Sequence, residues 1–415
     1  MSVVEEQALT RDQDLIPVRH ARMSATPFTF YRGAAAVMTA DLAATPDSGI
    51  HTQLCGDAHL SNFGVFYTRE RRMIFDINDF DETHPGPFEW DVKRLAASVV
   101  IAGRNNGFKK KQTAKHARAV ARYYRNYLLA SVELSTLDCW YARIDVDNRL
   151  PELRKRLDSS TAESTQKMLK KARHRDSMQA VSKLCWVDDA GRAHIRSDPP
   201  LLVPLTELAT DRMFPGGGVR TAGEVAANGR ALMGLYRASL PEHIGALYDQ
   251  FDIVDVARKV VGVGSVGLQA WVILMWGKGE NDPLMLQVKQ AQRSVLADYV
   301  PGHEYAGQGW RVIEGQQVMQ AGSDQFLGAI TGRDIDNHLH DYYVRQLRDG
   351  KGADGADDHH ALDPEIEHPG LLDHEFADRG QHDRHRRHHQ RGDEDGEIDP
   401  SEIHQAAPFT ARRMR

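Results

Sequence analysis

Gly56-Asp57-Ala58-His59-Leu60-Ser61-Asn62 sets an Asp and an Asn five residues apart, and Asp76-Ile77-Asn78-Asp79-Phe80-Asp81 follows shortly after. Phosphoryl transfer asks little else of a protein. A carboxylate accepts or orients the proton of the attacking hydroxyl, and oxygen ligands hold Mg²⁺ against the phosphates. In these segments Asp57 is the candidate base, and Asn62 and Asp79 are the candidate metal ligands, with Asp76 in reserve for Asp79. His59 reads as a side chain that braces the loop. The cluster Asp76, Asp79, Asp81 and Glu82 offers oxygens enough for Ca²⁺, but it lacks the EF-hand pattern.

A second set lies about two hundred residues further on. Gly262-Val263-Gly264-Ser265-Val266-Gly267 separates two strand-like runs, and Lys289 stands in the third, Leu286-Gln287-Val288-Lys289. A dinucleotide site would require a helix directly after the glycines, because pyrophosphate sits on a helix N-terminus. Here Leu268–Leu274 is rich in branched and aromatic residues and reads as a strand. Glycines between two strands instead form the flap that covers ATP phosphates, with Gly262, Gly264, Ser265 and Gly267 as the candidate contacts. Lys289 would then reach the α- and β-phosphates, and Glu314 on the following helix, or less favourably Glu304, would pair with it.

These groups need elements to hold them. Pro27–Tyr31 reads as a short extended segment, followed by a helix over Gly33–Leu42. Val65-Phe66-Tyr67 and Met73-Ile74-Phe75 flank the charged Arg69–Arg72 and predict a hairpin. From Trp90 to Gln250 the three- and four-residue apolar spacing predicts helices, clearest over 114–134 and 224–249, with a basic, solvated helix over 151–176. After Phe251, strands are expected at Val260-Val261, Leu268–Trp276 and Leu284–Val288. A helix over about 309–320 and a strand at Asp341–Leu347 follow. The expectation is an α+β chain with a helical catalytic unit over 1–250, a β-rich glycine-loop unit over 251–351, and a tail over 352–415.

The first set resembles aminoglycoside-phosphotransferase-like kinases, whose loop reads G-D-x-H-x-x-N ahead of an acidic metal-binding turn. The likeness includes Asp91 in Pro87–Leu95, where such kinases have an Asp-led helix that braces the catalytic loop. One departure is spacing: Asn62 to Asp79 is 17 residues, whereas Asp76, at 14, fits those kinases better. Residues 15–351 also resemble a bacterial family catalogued as domain of unknown function 2252. The segments that match are Thr26–Ala34, Cys55–Gly64, Phe75–Leu95, Val260–Gly267, Leu286–Ala291, Arg311–Gln320 and Tyr343–Lys351. In ordinary kinases the glycine flap precedes the catalytic loop. The reverse order here implies a two-lobed kinase-like fold with a circularly permuted chain, which needs only that the groups meet in space. The expected activity is ATP·Mg²⁺-dependent transfer to an unidentified hydroxyl or amine acceptor. The alternative is a nucleotide-binding regulatory protein without transfer activity.

Composition narrows the remaining classes. No apolar run approaches the roughly 20 residues of a membrane span, and the polar start Met1–Asp14 has no secretory h-region. Cys55, Cys139 and Cys185 are widely spaced and fit a reducing cytoplasm. Residues 352–415 hold 16 Asp/Glu and 8 Lys/Arg. Subtracting these from the chain totals of 58 and 52 leaves 42 acidic and 44 basic residues, a body too near neutral to argue for nucleic acid. The tail carries 9 of the 20 histidines and only six Leu, Ile or Val residues, too little apolar surface to offset the entropy of folding. Runs such as His382–His389 can be read as a metal tract. The preferred expectation is a frame shift near codon 352 of a GC-rich gene, replacing helices that pack on the catalytic unit. Translating the other two frames beyond that codon should then reveal an amphipathic helical segment. If neither frame encodes one, the tail is a disordered extension.

Overall fold

The computed structural model describes residues 3–157, 159–174, 177–208, 221–279, 281–333 and 337–347; the expected frame-shifted tail at 352–415 lies outside them. The chain begins with helices α1 (Val3–Ala8), α2 (Ile16–Ser24), α3 (Pro27–Gly33) and α4 (Ala35–Ala43). The segment 27–31, expected to be extended, is therefore helical. Its sequence explains the correction: the Thr26 hydroxyl accepts from the Thr29 N–H, Thr29 Oγ1 accepts from the Thr26 N–H, and Pro27 occupies the first turn. The aromatic run that suggested a strand is overruled by this capping box.

Next come β1 (His51–Leu54), β2 (Phe63–Tyr67), β3 (Met73–Ile77) and β4 (His84–Pro87). β2 and β3 form the expected hairpin, with Val65 opposite Phe75, and β4 returns antiparallel to β1. Helices α5 (Glu89–Asn105), α6 (Lys110–Val132) and α7 (Thr136–Tyr141) follow, then β5 (Ile144–Asp145), which adds to β3. The basic stretch forms α8 (Val146–Arg156) and α9 (Ser159–Arg173). It is less solvated than expected, because Leu169 and Ala172 bury against Val65 and Met73 of the hairpin. Leu128, Leu129, Val132, Leu137, Trp140 and Tyr141, on α6 and α7, are exposed.

The nominally helical stretch also contains α10 (Ser177–Leu184) and the short strands β6 (Cys185–Val187), β7 (Ala193–Ile195) and β8 (Leu202–Pro204). Three residues are too few for a strand period to stand out in sequence. Helices α11 (Ala222–Ser239) and α12 (Glu242–Tyr248) lead into β9 (Asp252–Lys259), β10 (Ala270–Trp276) and β11 (Pro283–Gln290). After α13 (Gln308–Met319) come β12 (Gly328–Arg333) and β13 (Leu339–Gln346). The strand expected at Val260-Val261 ends just before those residues, which instead enter the glycine turn.

The molecule is thus a mixed α+β structure whose main sheet has the antiparallel order β12-β13-β11-β10-β9-β8. Alternation sorts its side chains. Ile273, Met275, Leu284, Leu286, Val288, Tyr342 and Val344 face one way and pack under Met233, Tyr236, Leu240, Ile244 and Tyr248 of α11 and α12. Each such fully buried side chain contributes about 1.5–3 kcal/mol. The boundary expected at residue 250 falls between α12 and β9, two elements of this one core. Near the β6–β7 pair the opposite face packs Val272, Leu274 and Met285 on Ala180 and Ile195. Beside it Tyr343 and Ala329 meet Val312 and Ile313 of α13 together with Cys55, Ala58 and Phe80. Among the described residues no helix is long and apolar enough to cross a membrane.

One buried cation ties α13 to the acidic hairpin. Arg311, 2% exposed, donates to the carbonyls of Thr83 (2.6 Å), Asp81 (2.8 Å) and Gln292 (2.8 Å). Replacing it by Met leaves three interior carbonyls without donors, at a cost of about 3–5 kcal/mol. Denaturant unfolding of Arg311→Met should show that loss, and a change below about 1 kcal/mol would mean these bonds do not hold the two parts together.

Candidate functional site

The loop carrying Asp57 is shaped before it is charged. Gly56 has φ +81°, and a Cβ there would lie 2.1 Å from the Glu82 carbonyl oxygen, so only glycine fits. Asp91, in the first turn of α5, accepts from the N–H groups of Cys55 (2.8 Å) and Gly56 (3.1 Å) and braces the turn. Burial lifts the Asp91 carboxyl to about 6, against the opposing pull of those two N–H donors. Asn62 then ties loop to hairpin, its Nδ2 donating to the carbonyls of Asp57 (3.1 Å) and Asp79 (2.9 Å). That use of the amide nitrogen leaves Oδ1 as the atom Asn62 offers to a ligand.

Asp57 is held by a cation that sequence reasoning missed. Arg94, 2% exposed, reaches Asp57 Oδ1 through Nε (2.6 Å) and Nη2 (2.5 Å), and the other carboxylate oxygen lies 3.7 Å from His59 Nε2. Arg94 also donates to the Tyr31 carbonyl at 2.9 Å and lies over the Tyr31 ring. Burial drives the His59 pKa down to about 4, in spite of Asp57 beside it, so the imidazole is neutral at pH 7. The loop-bracing role expected for His59 suits a neutral ring.

The glycine segment joins β9 to β10 as a hairpin turn, with Gly262 at φ +64° and Gly267 at φ +88°. Its outer side is gripped by the N-terminal segment: Arg22 donates to the Gly262 carbonyl (2.7 Å), Arg11 to Val266 (2.7 Å), and the Asp12 N–H to Gly267 (2.8 Å). A Cβ at Gly264 would sit 3.5 Å from the Arg32 carbonyl oxygen. Ser265 turns inward, and its hydroxyl donates to Asp81 Oδ2 at 3.3 Å.

Lys289, 4% exposed on β11, pairs with Asp81 Oδ2 at 2.5 Å and Asp79 Oδ2 at 3.4 Å. Tyr343, its direct cross-strand partner, donates its hydroxyl to Asp81 Oδ1 at 2.6 Å. Two residue pairs along, on the same face, Arg345 donates to the Asn78 carbonyl (3.1 Å) and to Gln287 Oε1 (3.1 Å). Burial works against charge on both Lys289 and Asp79. Burial is the largest single effect on each, but their mutual attraction, together with Asp81 on Lys289 and with Arg345 and the Asp81 hydrogen bonds on Asp79, outweighs it. The lysine pKa therefore lies above its ordinary value and that of Asp79 below the usual carboxylate range.

The sequence-predicted residues separate on this geometry. Asp57, Asn62, Asp79, Ser265 and Lys289 share one region, linked by the contacts above. Asp76 does not join the Lys289 cluster; its Oδ1 accepts from the Ile77 N–H at 2.8 Å, and the backbone of Ala321 also bonds it. Glu314 is exposed on the outer side of α13, and the carboxylates on Lys289 are Asp79 and Asp81. Asp81 was legible as the second acid of Asp-Phe-Asp, since a buried Phe80 turns both neighbours to one side. Tyr343 needed the strand register, and Arg94 needed the packing of α5 on α3.

Among the described residues, no group of three or more His, Cys, Asp and Glu side chains is arranged to hold a metal ion. Mg²⁺ makes a sparser demand, one or two protein oxygens with phosphates and water completing its shell. A cavity of about 250 Å³, lined by Tyr67, Arg69, Ser177, Phe251, Asp324 and Phe326, opens elsewhere and includes none of the sequence-predicted residues.

Burial also raises Asp76 from its ordinary 3.8 to about 6. The unfolded chain loses that proton first, so stability falls as pH rises from about 4 to 6 and stays lower above it, by roughly 2–3 kcal/mol. Asp91 adds a slope of the same sign. His59, held low, contributes the opposite slope over the same window, so the test is the difference between proteins. Asp76→Asn should take a decline of roughly 2–3 kcal/mol out of the wild-type profile, and an unchanged slope would show that Asp76 titrates normally.

Comparison with known proteins finds a family match over most of the chain. A family model described as "Uncharacterized protein conserved in bacteria (DUF2252)" covers residues 11–360. No curated protein and no solved structure matches the chain.

Proposed function

The chain belongs to that bacterial family, and we propose that it is an ATP·Mg²⁺-dependent phosphotransferase with the parts of a kinase in permuted chain order. One observation carries this proposal. Lys289, from the third strand of a glycine-turn sheet, meets Asp79, from the acidic turn that follows β3, across 210 residues of sequence. The β9–glycine turn–β10–β11–α13 order supports it, since kinases place the lysine on the strand after the flap and a helix next. Only the last partner differs: the acidic turn, and not the helix, supplies the carboxylates on Lys289.

On this proposal Lys289 and the glycine turn hold the phosphates, and Asp79 with Asn62 Oδ1 hold Mg²⁺, which neutralises phosphate charge when bound. Asp57, oriented through Oδ1 by Arg94, receives the acceptor's proton on its other oxygen. Neutral His59 neither competes for that proton nor adds charge.

The alternative, a nucleotide-binding regulator without transfer, draws on the same Arg94–Asp57 pair, which ties up one oxygen of the carboxylate in a buried ion pair. Kinetics and calorimetry separate the two. Lys289→Ala and Asp79→Ala should each weaken ATP·Mg²⁺ binding at least tenfold, roughly the worth of one charge-assisted contact. Asp57→Asn should bind normally and lose turnover by about 10²-fold or more. Equal loss of binding in all three would make Asp57 a structural or metal residue. Turnover insensitive to Asp57→Asn would remove its role as base.

A further inference from the structure

We propose that Asp81 is a resident anion at the phosphate position, closing the site until a polyphosphate displaces its carboxylate, an inference that rests on the nucleotide site proposed above. Three donors from three separate elements converge on this one side chain. Lys289 of β11 and Ser265 of the glycine turn reach Oδ2 at 2.5 and 3.3 Å, and Tyr343 of β13 reaches Oδ1 at 2.6 Å. Lys289 and Tyr343 are 4% and 1% exposed, so the donors were taken out of water for the sake of a negative group at that point. An ammonium, a glycine-turn hydroxyl and a phenol around one anion are also what a terminal phosphate would engage.

The backbone of Asp81 is secured independently of its carboxylate. Its carbonyl accepts from Arg311 at 2.8 Å, its N–H donates to Asp79 Oδ1 at 3.2 Å, and the adjacent Phe80 is 1% exposed. The side chain can therefore rotate away while the hairpin stays in place. Asp79, at the longer 3.4 Å from Lys289, remains as counter-charge and ligand when Asp81 leaves. Because Ser265 holds the glycine turn to Asp81, displacement also frees the turn on that side. Nucleotide must thus compete with a tethered anion, and removing only the charge of that anion should favour the competitor.

Calorimetry on the full chain with inorganic tripolyphosphate, ATP and ATP·Mg²⁺ tests this in wild type and Asp81→Asn. Asp81→Asn is expected to bind tripolyphosphate about tenfold tighter than wild type, the worth of one charged hydrogen bond. It should also unfold at a lower temperature alone and recover when tripolyphosphate is added. Equal or weaker tripolyphosphate binding by Asp81→Asn overturns the inference and makes Asp81 a structural ion-pair partner. Carboxyl labelling of wild type, read by mass spectrometry, needs no variant: Asp81 should be protected alone and labelled when tripolyphosphate is present. Protection that persists at millimolar tripolyphosphate also overturns it. If tripolyphosphate displaces Asp81 but ATP binds neither protein, the resident anion stands and the nucleotide site falls. If ATP·Mg²⁺ binds both proteins equally, the nucleotide site stands and the resident anion falls.

Discussion

A lysine ammonium that is 4% exposed has lost its water, and Lys289 survives in that state only because two carboxylates replace it. Desolvating such an ion costs several kcal/mol, and removing one partner from a buried pair typically costs about 3–5 kcal/mol. The strand neighbours of Lys289 are Ala270 and Tyr343, neither of which is an anion at neutral pH. Its counter-charge comes from a hairpin 208 residues earlier in the chain. The main sheet and the acidic hairpin are consequently obliged to pack together. Arg311 from α13 and Arg345 from β13 reinforce that join by donating to Asp81, Thr83 and Asn78 carbonyls.

The N-terminal segment works on both sides of the same join. Arg11, Asp12 and Arg22 hold the outer side of the glycine turn through its carbonyls. A few residues later, Tyr31 presents its carbonyl and ring to Arg94, which in turn fixes Asp57. The first helices thus position a turn near residue 264 and a loop near residue 57 at once. Shifting α2 and α3 would disturb the orientation of both, which gives those helices a role that neither motif alone discloses. Arg19, 0% exposed and bonded to the Gly33 carbonyl, keeps α2 and α3 in register with each other.

Local sequence determined much of this. Gly56 beside Asp57, the alternation of Gln287 and Lys289 against Leu286 and Val288, and the branched run of β10 each act through nearest neighbours and backbone sterics. The hairpin, the helix over 308–319 and the strand at 339–346 could therefore be read in advance, and so could the identity of five residues that meet at the site. Where local cues competed, sequence misled: the aromatic run at 28–31 suggested an extended segment, whereas the Thr26–Thr29 capping box starts a helix there.

Only the tertiary structure decided which carboxylate answers Lys289. Sequence reading offered Glu314, or less favourably Glu304, for that role and assigned Asp79 and Asp76 to metal, because spacing along the chain says nothing of distance between segments two hundred residues apart. The choice fell to Asp79 and Asp81 because Phe80 buries between them and aims both at the sheet, while Asp76 bonds backbone on its own strand and Glu314 faces outward. Tyr343 enters through strand register, and Arg94 through helix packing. Residue types and their local faces were written in the sequence; the meeting of charges was set by the packing of remote elements, because a buried charge takes whichever counter-charge the fold brings within reach.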